Sequence, residues 1–181
     1  DNIEYLLDII PSSKLKRKPN FNDSGFIPKP KNKKNKEISK IETALISIGG
    51  EDPAEFSELA KVTLEKIGIK TTVVGSKNPI PNLKEELYKY DLILTHYGFT
   101  AFEAQAASCK VILVATTKLH KALAKSQGFI CLSKHDFKNI KKLKEVIQGL
   151  ESEKNESSKI DNNQDFILED FIQDLRKPKE H

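Results

Sequence analysis

The chain has 181 residues, 38% of them hydrophobic and 31% charged, with a formal net charge of +4. That length supports one full hydrophobic core and leaves too little for two ordinary domains with linkers, while the charged fraction implies that part of the chain stays outside the core. No apolar run nears the roughly 20 residues of a membrane span and no signal-peptide pattern is present, so the cytoplasm is the expected compartment, with peripheral membrane association as its variant.

The charge is unevenly spread. Residues 12–40 carry ten Lys or Arg against two acids, so the basic excess belongs to one segment and not to the fold. Cys109 and Cys131 sit in apolar surroundings without CxxC spacing and are expected as buried thiols in a reducing compartment. The chain contains no Met and opens abruptly at Asp1-Asn2-Ile3, from which we expect a further domain upstream.

In chain order, residues 1–11 are an apolar stretch closed by Pro11, expected as the remnant of that preceding domain, in either strand or helix form. Residues 12–42 hold Pro19, Pro28, Pro30 and the lysine run from Lys29 to Lys36, without helical period, and read as a basic linker. A solvated connector is the plain reading of such a run. A patch for an anionic membrane surface is the functional one, and nucleic acid is disfavoured because only Phe21 and Phe26 interleave the charges.

The ordered domain is expected over residues 43–150. Residues 43–48 form a continuous apolar strand; Gly49-Gly50 turns the chain; Asp52-Pro53 opens a helix with Phe56, Leu59, Ala60, Thr63 and Ile67 on one face and Gly68 as its stop. A second strand over 70–74 ends at Gly75-Ser76 and leads to a short helix that Asn82 can cap. Residues 92–95 are the third strand, 100–108 its helix, 111–114 the fourth strand, 119–127 its helix with Gly128 as stop, and 129–132 the fifth strand. Asp136 is then placed as the cap of a helix carrying Phe137, Ile140, Leu143, Val146 and Ile147. Residues 151–163 read as a linker and 164–177 as an amphipathic helix. Strands alternating with helices in this way predict an α/β fold, a Rossmann-like parallel sheet with helices on both faces.

Several common chemistries are absent as motifs. Gly49-Gly50 lacks the GxGxxG context, and there is no P-loop, GxSxG elbow or HExxH pair. His96, His120 and His135 stand too far apart in sequence to suggest a metal site, so no metal is expected. What remains is a set of glycine turns at the carboxyl ends of parallel strands: Gly49-Gly50, Gly75-Ser76 and Gly98-Phe99-Thr100. A helix amino terminus at such an edge favours phosphate, and a carboxylate one turn in suits ribose hydroxyls.

Three stretches, Ile46-Ser47-Ile48-Gly49-Gly50-Glu51-Asp52-Pro53, Val73-Val74-Gly75, and Asp91 through Ala104 with its Gly98-x-Thr100-x-x-Glu103 element, resemble the C-terminal domain of GT-B glycosyltransferases. The nearest likeness is to glycosyltransferases of spore-coat polysaccharide synthesis and to the UDP-sugar hydrolase of pseudaminic acid synthesis. The resemblance spans residues 43–133. It implies the C-terminal half of a GT-B architecture that binds a nucleoside-diphosphate sugar, UDP-linked by expectation, in polysaccharide or glycan synthesis, with no obligatory cofactor. Gly98, Phe99 and Thr100 would meet the diphosphate, Glu103 the ribose, Gly49 and Gly50 the donor, and Gly75 the base pocket. The catalytic base would lie in the N-terminal domain.

The sequence also departs from that family. Tyr97 stands where a second glycine is usual and is expected to narrow the phosphate approach. Thr116-Thr117-Lys118-Leu119-His120 replaces the usual Asn-Gln pair, leaving Lys118 and His120 as substitute phosphate or sugar contacts. Ser108-Cys109-Lys110 replaces a Gly-x-Pro turn. For catalysis itself no residue is assigned; His96 and His120 are the candidates.

Each site residue has a plainer role as well. Thr100 and Glu103 make a capping box, His96 a structural loop histidine, Asp52 an N-cap, and Phe99 either a lid or a hydrophobic staple. Whether the whole is an enzyme stays open against a second class, a non-catalytic scaffold with a degenerate donor pocket whose lysine segment contacts anionic partners.

Overall fold

The computed structural model describes residues 7–8, 21–22, 27–49, 56–76, 78–115 and 117–153. Its centre is a five-stranded, all-parallel sheet in the order β4-β3-β5-β6-β7, formed by β3 (Thr43–Ser47), β4 (Lys70–Val74), β5 (Leu92–Thr95), β6 (Lys110–Val114) and β7 (Ile130–Leu132). A separate pair, β1 (Leu7–Asp8) and β2 (Phe21–Asn22), is also parallel. The α/β fold expected from strand–helix alternation is the fold observed.

Side-chain alternation explains why both faces are covered. Ala44, Ile46, Leu92, Leu94, Ile112 and Val114 point to one face, where α1 (Phe56–Lys66), α5 (Lys134–Lys138) and α6 (Ile140–Ser152) supply Phe56, Leu64, Phe137, Leu143 and Ile147. Leu45, Ile93, Val111 and Leu113 point to the other, against Leu87, Ala101, Phe102, Ala104 and Ala124 from α2 (Leu83–Glu86) with its 3-10 extension (Leu87–Lys89), α3 (Phe99–Ala106) and α4 (Lys118–Ser126). A strand buried on both faces is apolar at nearly every position, and β5 and β6 are so apart from Thr95 and Lys110. Lys110 is the exception in β6. It is buried, and its Nζ donates to the Glu153 carbonyl at 2.7 Å, where a cation complements the C-terminal end of α6.

Three local expectations are corrected. Asn82 precedes α2 in a left-handed conformation and makes no side-chain cap. Asp136 is not an N-cap: Ser133 is, and Asp136 completes a capping box at N3, with the Ser133 N–H donating back to its carboxylate at 2.8 Å. The expected single helix is split at Asn139, whose side chain caps α6 by accepting from the Lys142 N–H. Ser108, in place of a turn glycine, takes a left-handed φ of 62°.

The largest difference concerns the basic segment. Residues 27–42, expected as part of a solvated connector, pack on the domain as a strap across the amino-terminal edge of the sheet. Ile27 is buried on one face, and Ile38 and Ile41 on the other. Between them the Lys34 N–H donates to the Ala107 carbonyl at 2.9 Å and the Lys34 Nζ to Asp91 at 2.7 Å. Three apolar anchors this widely spaced leave no period to read. The linker expected over 151–163 falls outside the described residues from position 154 on, and so does the amphipathic helix expected over 164–177. Among the described residues, no helix is long and apolar enough to cross a membrane.

Candidate functional site

In a parallel sheet every carboxyl-terminal strand end lies on one edge. Here β3 is followed by α1 on one face and β5 by α3 on the other, while β3 and β5 are hydrogen-bonded neighbours, with Ser47 opposite Thr95. The connections therefore diverge between them, which makes this edge the switch point where open α/β sheets take ligands. The Thr95 hydroxyl donates to the Ser47 carbonyl at 2.7 Å and pins the two strand ends together.

Gly49 leaves β3 with φ of 85°, a left-handed value that glycine adopts without strain, and a Cβ there would meet nothing within 4 Å. Gly50 and Asp52 lie outside the described residues. From β5 the chain runs through His96 and Tyr97 to Gly98, the residue before α3. Gly98 is extended, and a Cβ built on it also meets open space. Gly75, after the edge strand β4, is closed in a bridge with Asn78.

The capping box expected of Thr100 and Glu103 does not form. The helix begins one residue earlier than the pattern suggested, at Phe99, so Thr100 sits inside the first turn and the N-cap is Gly98, which has no side chain to cap with. The N-cap residue therefore offers no side-chain acceptor to the amino-terminal dipole. Glu103 is half-buried one turn in. Burial raises its carboxyl pKa, nearby Lys84 opposes that, and Glu85 adds to it. Sequence reasoning did not anticipate Lys84, because only the packing of α2 beside α3 brings it there.

The hydrophobic staple belongs to Tyr97 and not to Phe99. With Gly98 at the cap, Tyr97 is N′ and Phe102 is N4, and their rings meet edge to face with centroids 5.8 Å apart. Tyr97 also faces Phe129 at 6.4 Å. Its ring is thus engaged in an aromatic cluster with Phe102 and Phe129. Phe99 remains 50% exposed.

Lys118 and His120 open α4, where the Thr117 hydroxyl accepts from the His120 N–H. Lys118 is exposed and His120 half-buried. His96 and His120, far apart in sequence, come within 5.8 Å between ring centroids. His135 stays on α5, across the sheet. Two grooves of about 520 and 590 Å³ lie at the opposite, amino-terminal edge, one against Ile41, Ile69 and Ile147 and one under the strap against Tyr88 and Asp91. Neither includes a residue expected for the donor site.

A scan against models of known protein families finds none that matches this chain, and a search of curated proteins finds no match either.

Proposed function

We propose that this domain binds the donor of a nucleotide-sugar-dependent glycosyltransferase, or of a related nucleotide-sugar hydrolase, with the diphosphate seated at the amino terminus of α3. The observation that carries the reading is that α3 opens at the switch point on a glycine N-cap, which brings no capping side chain of its own. Phosphate oxygens would take the place of the absent cap and meet the positive end of the helix dipole. Glu103, free of the capping box, would accept from ribose hydroxyls, and the open space beside Gly49 and Gly98 would admit the ligand to the backbone.

In the reaction, bond cleavage at the sugar leaves negative charge on the departing diphosphate. Oriented backbone N–H groups at α3 would stabilise it most as that charge develops, with His120 and Lys118 as further donors. Titration of the chain with UDP, CDP and GDP, followed by amide NMR, tests the assignment. Shifts confined to residues 96–103 and the Gly49 loop support it; no shift there with any of the three nucleotides refutes it.

A further inference from the structure

We infer that His96 and His120 together form a two-imidazole seat for a single divalent transition-metal ion. The inference goes beyond the donor-site reading and does not depend on it. Their ring centroids are 5.8 Å apart with planes inclined at 37°. A zinc–nitrogen bond places the metal about 3.2 Å from each imidazole centroid, so two rings on one ion stand about 5.2 Å apart at a tetrahedral angle and about 6.4 Å apart when opposed. The observed separation lies between these limits. Imidazole suits zinc, copper and nickel, and it ligates in its neutral form.

Both residues stand on fixed backbone. His96 directly follows Thr95, whose hydroxyl ties β5 to β3, and its Nε2 is shielded from solvent. His120 is held in the first turn of α4 by the Thr117 cap. Such anchoring reduces the ordering that binding would otherwise require. No group of three His, Cys, Asp or Glu side chains suited to a metal lies among the described residues, so the described residues supply two ligands and leave the remaining positions to water or a ligand oxygen. That is the open shell of a reactive or ligand-bridging metal, in contrast to a closed structural one.

The test is titration of the full chain with ZnCl₂ alone, without nucleotide, by calorimetry, with Co²⁺ as a spectroscopic substitute. One equivalent is expected to bind. His96→Asn and His120→Asn should each weaken binding at least tenfold, while His135→Asn leaves it unchanged. The Co²⁺ spectrum should lack a thiolate charge-transfer band, which separates this site from one built on Cys131. His120 is half-buried on a helix surface, so His120→Asn remains informative even where His96→Asn perturbs folding. Absence of zinc binding, or binding that His120→Asn leaves intact, overturns the inference and reduces the contact to an imidazole pair.

Discussion

Tyr97 and Phe102 meet across the start of α3 with their ring planes at 77°, a hydrophobic staple that sets the angle at which the chain enters the helix. Phe102 is buried and also packs on Phe129 at 5.4 Å, whereas Tyr97 is half-buried. Tyr97→Ala is therefore expected to cost about 2 kcal/mol, from the lost aromatic pair and partial burial. Phe102→Ala should cost about 3 to 4 kcal/mol because it also leaves a core cavity. Urea unfolding of both variants checks the order. A Tyr97→Ala variant as stable as the wild type would remove the staple from the account.

Gly98 separates a structural role from a binding role. Its φ of 172° is extended backbone that any residue adopts, and an added Cβ would meet nothing within 4 Å among the described residues. Gly98→Ala is expected to change stability by less than about 0.5 kcal/mol. If the diphosphate approaches the backbone there, the same methyl group obstructs it, and UDP affinity should fall at least tenfold. Paired measurements of melting temperature and UDP binding decide between a site glycine and a replaceable one.

Glu103 is expected to show the opposite of an ordinary stabilising carboxylate. Burial raises its pKa, so folding favours the protonated form and ionising this carboxyl is a cost to stability. Glu103→Gln, which keeps the shape and removes the charge, should leave stability unchanged or slightly higher while weakening UDP binding. Gain of stability with loss of affinity marks a residue kept for its ligand. Loss of both would indicate a structural contact instead.

How much of this was legible in the sequence follows from which forces are local. Strands such as 92–95 and 110–114 are apolar at nearly every position because both faces are covered, and that pattern is visible without coordinates. Gly68 and Gly128 mark helix ends by their left-handed φ, a requirement that residue type reveals. Thr100 misled for a related reason: a Thr-x-x-Glu spacing describes a capping box only if the helix starts after the Thr, and the Tyr97–Phe102 staple draws the start back to Phe99. The contact of His96 with His120, and of Lys84 with Glu103, depends on which strands are neighbours. Spacing along one chain does not encode strand order. The strap was missed because Ile27, Ile38 and Ile41 bury singly, and its other ties are hydrogen bonds without a residue signature.

The strap also makes a prediction about acid. Burial acts to raise the pKa of Asp91, but its hydrogen bonds outweigh that: Lys34 Nζ at 2.7 Å, the Thr43 hydroxyl at 2.8 Å, and the N–H groups of Thr43 and Glu42 at 2.9 and 3.0 Å. The net pKa is lowered. A carboxylate with a depressed folded value contributes stability that is fully present above the unfolded value, near about 3.9, and is lost as pH falls through the lower folded value. Asp91→Asn keeps the shape, removes the charge and puts an NH₂ group where one carboxylate oxygen accepted, so it should cost about 2 to 3 kcal/mol at pH 7. The difference from the wild type should shrink below pH 4, as Asp91 itself becomes protonated. Asp136 is lowered as well, chiefly by Lys142, but it titrates alike in both proteins and cancels in the comparison. Urea unfolding of the two chains at pH 7, 4 and 2.5 reads the gap directly. A gap that stays constant across that range would mean that the strap is held by its apolar anchors and not by the Lys34–Asp91 pair.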